Sequence, residues 1–217
     1  MRLIWIGLPA GLALASAGGL LYYLGMQPKV QTVDVLSGQP RHPVTAEMTQ
    51  ATGSKSAKVA PAFKAQDIHG KSVVIGSPSA DRPQFVYFVL DGCPCSIEAE
   101  PLFHDLAKQF QGKVDFVSVT NADLAKAKRW DVQMLPSYPV ISDPRLEIIR
   151  SFGAKNSVYS ALIGKDGKIV KMWPGYSVGI LTEMNKLMAK EAWVTEKPFD
   201  TKYAPLEQSS GCTFDLG

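Results

Sequence analysis

Apolar residues in this chain fall into two kinds of run: short blocks in which nearly every residue is apolar, and longer stretches in which they return every three or four positions. Gln84–Leu90 (QFVYFVL) is of the first kind. It is short for a helix and too uniformly apolar for a surface strand, so it predicts a central strand buried on both faces. Asp91-Gly92 breaks the run. From Cys95 to Phe110 the recurrence of Ile97, Leu102, Phe103, Leu106 and Phe110 predicts a helix, with Pro101 kinking it and Gly112 ending it. Val114–Thr120 predicts the next strand, Asp123–Trp130 a helix capped by Asn121, and Tyr138–Ile141 a short strand. Pro144–Phe152 reads as a short helix stopped by Gly153. Tyr159–Ile163 and Lys168–Trp173 read as a hairpin around Lys165-Asp166-Gly167, and Val178–Ala192 as a last amphipathic helix. Upstream, Phe63–Asp67 and Ser72–Ile75 form a strand pair about His69-Gly70-Lys71. The order β-β-β-α-β-α-β-α-β-β-α implies a layered α/β sheet with a buried parallel part and an antiparallel edge.

The ends of the chain have a different texture. Leu3–Met26 carries no charged side chain and has Trp5 near one end and Tyr22 and Tyr23 near the other, the pattern of a membrane-spanning helix with interfacial anchors. The competing reading is a cleaved signal, since Ala15-Ser16-Ala17 has the small-x-small pattern of a processing site. Either reading exports the rest of the chain. The expected organisation is an anchor at 1–27, a flexible Pro/Gly/Ser/Thr-rich linker at 28–58, a globular domain at 59–192 and a polar C-terminal tail at 193–217. The expected location is a membrane, with a single N-terminal anchor and the domain on its outer face, or secretion after cleavage.

Composition narrows the function. The formal net charge is +3, with 23 basic and 20 acidic residues. These are scattered, so no basic patch argues for nucleic acid. The cysteines are Cys93, Cys95 and Cys212, too few for a disulfide scaffold. Two of them stand one residue apart where a strand hands over to a helix. The first turn of a helix offers unpaired N–H groups and the positive end of a dipole, so a thiol placed there ionises easily and becomes a nucleophile. A Cys93–Cys95 disulfide would close a tight, strained ring. Cys212, on a tail able to reach back, is the other candidate partner. Two neighbouring thiolates also suit Cu(I); the histidines are His42 in the linker, His69 in a turn and His104 on the helix, where a surface role is the plainer reading. Glu98 and Glu100 read as complements to the helix dipole.

Several segments together resemble the redoxin branch of the thioredoxin superfamily, which includes alkyl hydroperoxide reductase-type (AhpC/TSA) peroxiredoxins and membrane-bound thiol–disulfide exchange proteins. They are Ala-Pro-Ala-Phe at 60–63, Asp-Ile-His-Gly-Lys at 67–71, Cys-Pro-Cys-Ser at 93–96, Pro101, Ser-Asp-Pro at 142–144 and Leu-Ile-Gly-Lys-Asp-Gly-Lys-Ile-Val at 162–170. The resemblance spans about residues 59–192 and implies a thioredoxin-like fold. It implies a thiol–disulfide oxidoreductase, with Cys93, Cys95 and Cys212 as its catalytic residues, no bound cofactor and no resident metal. The partners it implies are protein thiols and disulfides or a peroxide, and a thioredoxin-like reductant. A thiol peroxidase of altered active site and a Cu(I) carrier are the alternatives. In the thioredoxin register Ser96 takes the second cysteine's place and Cys93 is the exposed nucleophile. In the peroxiredoxin register Cys95 is followed by Glu98, but Gly92 and Phe88 stand where threonine and proline are usual, and Val158 replaces the proline of the loop facing the cysteines.

Overall fold

The computed structural model describes residues 42–76 and 81–216. The expected membrane segment at 1–27 lies outside these residues, as does the first part of the expected linker. Among the described residues no helix is long and apolar enough to cross a membrane.

Five strands form the central sheet. They are β3 (Gln84–Val89), β4 (Asp115–Thr120), β5 (Val140–Ser142), β6 (Ser160–Ile163) and β7 (Ile169–Trp173), in the spatial order β5-β4-β3-β6-β7. β3 runs parallel to β4, with Gln84 opposite Asp115 and Val89 opposite Thr120, and β4 runs parallel to β5. β6 is antiparallel to β3 and β7 is antiparallel to β6. A separate hairpin joins β1 (Phe63–Gln66) to β2 (Ser72–Ile75).

Every residue of β3 is buried, as its uniform apolar run requires. Alternate side chains serve opposite faces. Phe85, Tyr87 and Val89 join a core with Phe103, Leu106, Trp130, Leu181 and Met184. Those five come from α2 (Pro94–Gln109), α3 (Leu124–Met134) and α5 (Val178–Ala192). Val86 and Phe88 join the other core, with Ile148, Ile149 and Phe152 of α4 (Glu147–Phe152). The cysteines therefore sit on the three-helix face, just past the end of the wholly buried β3.

Local chemistry moves some boundaries from where the apolar pattern put them. Asp123, not Asn121, caps α3: its carboxylate accepts the Lys126 N–H at 2.9 Å. Asn121 instead accepts the Asp91 N–H at 2.8 Å, which braces the turn that leads to Cys93. Helix α4 starts at Glu147 rather than Pro144 because Asp143 gathers the N–H groups of Glu147, Ile148 and Ile149.

Two segments expected to be loose are built into the fold. Within the expected linker, α1 (Ala46–Gly53) is capped by Thr45, whose hydroxyl accepts the Met48 N–H at 3.2 Å. Good helix formers follow that cap, a signal masked by the Ser, Thr and Gly content of the stretch. The polar tail after α5 returns across the molecule. Phe214 enters the α4-side core and Cys212 packs on the other. Main-chain bonds hold it: Ser209 and Tyr176 exchange N–H···O bonds of 2.9 and 2.8 Å, and Asn156 pairs antiparallel with Thr213.

Candidate active site

The cysteine turn is fixed from three sides. The Cys93 N–H bonds back to the Leu90 carbonyl at 3.1 Å, and the Cys93 carbonyl accepts the Ser96 N–H at 3.1 Å. Gly92 takes φ +77°, a left-handed conformation that glycine adopts without strain. Pro94 then occupies the first helical turn, where its missing N–H costs nothing. Ser96, wholly buried, accepts the Leu90 N–H on its hydroxyl at 3.3 Å, while its carbonyl accepts the Tyr87 hydroxyl at 3.2 Å. In the thioredoxin register Ser96 thus stands at the second cysteine's position as a brace between strand and helix.

Cys93 is the N-cap of α2, yet its side chain makes no bond to the helix's own N–H groups. Its sulfur is held from elsewhere. The Ser157 hydroxyl donates to Cys93 Sγ at 3.2 Å, and the Cys212 main-chain N–H donates to it at 3.2 Å. Both donors come from a short antiparallel pairing between the loop before β6 and the chain's tail. There the Ser157 N–H donates to the Cys212 carbonyl at 2.9 Å, and the Gly211 N–H donates to the Ser157 carbonyl at 3.0 Å. The Asn156 side chain donates to the Gly211 carbonyl at 3.0 Å and to Thr213 Oγ1 at 3.1 Å.

These donors decide the ionisation. The Cys95 thiol, bonding to Cys93, pulls the Cys93 pKa far below the ordinary thiol value; burial opposes this, and the Cys212 thiol, the Ser157 hydroxyl and the Cys212 N–H reinforce it. Cys95 moves the opposite way, because its proton is committed to Cys93, and burial and the neighbouring negative charge add to the rise. A pair whose pKa values separate in this way has assigned its own roles: Cys93 carries the charge and Cys95 carries the proton. Both are about 1% exposed, so the sulfurs are covered while the tail strand is docked.

Tail docking depends on two glycines. A Cβ on Gly211 would lie 1.9 Å from Ser157 Oγ, and one on Gly175 would lie 2.1 Å from the Ser209 carbonyl oxygen. Val158 follows in the same loop, fully buried and at φ +65°. A β-branched residue in the left-handed region is a strained choice, held by its N–H bond to the Phe88 carbonyl at 2.8 Å.

The sequence profile of the AhpC/TSA family matches residues 57–172, more than half of the chain. The chain belongs to the AhpC/TSA family. A search of curated proteins returns no match. Among solved structures, this AhpC/TSA chain is similar to an uncharacterised conserved protein of Geobacillus kaustophilus (TM-score 0.60, 18% identity, 73% of this chain and 90% of that one). It is also similar to the thioredoxin domain of a thiol–disulfide oxidoreductase of Bacteroides vulgatus (TM-score 0.54, 17% identity, 61% and 97%). A third is a thiol:disulfide interchange protein of a Bacteroides species (TM-score 0.53, 17% identity, 61% and 90%). At these identities the likeness carries the thioredoxin-like fold.

Within this AhpC/TSA frame the peroxiredoxin register fits poorly. The position expected for threonine is the left-handed Gly92, and the position expected for proline is Phe88, fully buried in the α4-side core. Among the described residues no group of three or more His, Cys, Asp or Glu side chains is placed to hold a metal ion.

Sequence reasoning named all three cysteines that meet here, but missed Ser157 beside them and misplaced Glu100. Ser157 carries no local signal, since only the fold brings it to Cys93. Glu100 does carry one: it lies four residues after Ser96 and three before Phe103, so it shares their buried stripe. Rather than facing solvent near the helix dipole, it is 1% exposed and accepts the Tyr138 hydroxyl at 2.6 Å. Burial pushes its carboxyl up to about 7, against the lowering effect of that bond.

Proposed function

We propose that this protein is a thiol–disulfide oxidoreductase in which Cys93 is the attacking thiolate and Cys212 the resolving thiol. One observation carries the reading: the Cys93 sulfur, at a helix start, receives a main-chain N–H from Cys212 itself at 3.2 Å, so the resolving residue is already registered against the nucleophile. Cys93 Sγ attacks one sulfur of a substrate disulfide and the other leaves as a thiolate. Cys212 Sγ then attacks Cys93 Sγ, releasing the second substrate thiol and leaving a Cys93–Cys212 disulfide. The substrate gains two electrons, which a dithiol reductant of thioredoxin-like chemistry restores. Cys95 keeps Cys93 ionised and holds the proton that makes it a poor competitor for the resolving step.

The test is peptide mapping after one equivalent of a small disulfide is added to the reduced protein. The expected product is a 93–212 linkage, absent in Cys212→Ser, where a stable mixed disulfide on Cys93 accumulates. A 93–95 linkage as the sole product would reject the assignment of Cys212.

The proposal extends to place: a domain tethered by Leu3–Met26 on the outer face of a membrane, where disulfide chemistry persists. Its support is the uncharged apolar run alone. Membrane fractionation of the full chain, with protease added from the outer side, checks it; protein recovered free of membranes and uncleaved at its N-terminus would reject the tether.

A further inference from the structure

His42 stands at the other side of the Cys212 thiol. Its Nε2 lies 3.6 Å from Cys212 Sγ, although the two are separated by nearly the whole described chain. The approach is built by main chain. The His42 carbonyl accepts the Ser210 N–H at 2.6 Å, Pro43 pairs antiparallel with Ser209, and the Val44 N–H donates to the Gln208 carbonyl at 3.1 Å. The strand that delivers Cys212 to Cys93 is therefore clamped, on its opposite edge, by the residues that present the imidazole. The Cys212 thiol also bonds toward Cys93, so three groups stand in series: Cys93 sulfur, Cys212 thiol, His42 imidazole.

The two thiols need different help. Cys93 is kept ionised by its donors and needs no base. Cys212 has to lose its proton after Cys93 has been oxidised, when the thiolate that drew that proton is gone. A nucleophile with a base within reach is the arrangement that solves this problem.

We propose that His42 is the catalytic base of the resolving step, a reading that rests on Cys212 as the resolving thiol. Neutral His42 takes the Cys212 proton on Nε2. The resulting thiolate attacks Cys93 Sγ of the mixed disulfide, the Cys93–Cys212 bond forms, and the substrate sulfur leaves with the bonding electron pair. The imidazolium then returns its proton to that departing thiolate. The balance is one disulfide exchanged for another, with no outside oxidant. An ordinary thiol is only about 3% ionised at pH 7, so a base at hand speeds the step by up to roughly 30-fold.

The experiment is rapid-quench kinetics on the full chain, with a dipyridyl disulfide as the probe. The first equivalent of thiopyridone reports attack by Cys93, and the second reports resolution; the 93–212 bond is confirmed by peptide mapping. In His42→Ala the first phase keeps its wild-type rate, which shows that the tail strand is still docked, while the second slows about 10- to 30-fold and is restored by added free imidazole. In His42→Gln the second phase is slow and imidazole does not restore it, since the glutamine fills the space. A second phase unchanged in both variants, or slowed in His42→Ala without imidazole rescue, overturns the role of His42. A wild-type protein that never forms the 93–212 bond overturns the reading beneath it as well, so the two failures are told apart.

Discussion

Cys93 owes its low pKa to donors that can be removed singly. Cys95→Ala deletes the strongest of them and Ser157→Ala a weaker one. A hydrogen bond to a charged group is worth about 1.5–3 kcal/mol, which corresponds to roughly one to two pH units. The pH midpoint for iodoacetamide alkylation of Cys93 is expected to rise by that much in Cys95→Ala, and by less in Ser157→Ala. Equal midpoints in all three proteins would show that the helix start alone sets the acidity. Glu100 predicts a separate effect, on stability. Its carboxyl pKa is raised in the folded state from 4.5 to about 7, so the native protein holds a proton that the unfolded chain releases. The stabilising contribution is complete below about pH 4.5 and fades as the pH climbs to 7, by about 3 kcal/mol. Urea unfolding across that window should show the slope in the wild type and lose it in Glu100→Gln.

At the scale of elements, the tail strand is the part most exposed to test. Gly211→Ala places a methyl against Ser157 Oγ and should lift residues 208–214 from the loop at 156–158. The expected outcome is faster hydrogen exchange at the Gly211 and Phe214 amides and alkylation of Cys93 accelerated at least tenfold at high pH, where ionisation no longer limits it. Unchanged exchange would mean that the loop yields instead. The sheet and its helices were legible in the sequence because their apolar periods are strong: the first six residues of QFVYFVL became the fully buried β3, and 178–192 became α5 within its expected bounds. The tail and α1 were not legible. The tail is held by main-chain hydrogen bonds, glycine clearance and the single anchor Phe214, and α1 packs through Met48, so neither leaves a hydrophobic period to read. The site divides the same way. Strand-to-helix placement marked Cys93 and Cys95, whereas Ser157, His42 and the registry of Cys212 depend on contacts across 64 to 170 positions of chain.

For the molecule as a whole, oxidation should act as a stabiliser. A Cys93–Cys212 bond ties the last residues to the centre of the sheet and closes a loop of more than a hundred residues, for which chain entropy allows up to about 4.7 kcal/mol. Thermal unfolding of the oxidised wild type should shift upward relative to the reduced protein, whereas Cys212→Ser should show no such difference.

The order of synthesis gives the tail strand one more meaning. Every strand and helix of the sheet is complete by Ala192, yet the group that aligns the two sulfurs arrives only with Cys212, twenty residues later. A chain still emerging from the ribosome, or one clipped at the exposed Tyr203 or Leu206, can own a finished sheet and still lack its resolving thiol. Resolution, not capture, is thus withheld until Cys212 has docked, and a single cut before it would convert a two-thiol exchanger into a protein that captures disulfides without releasing them.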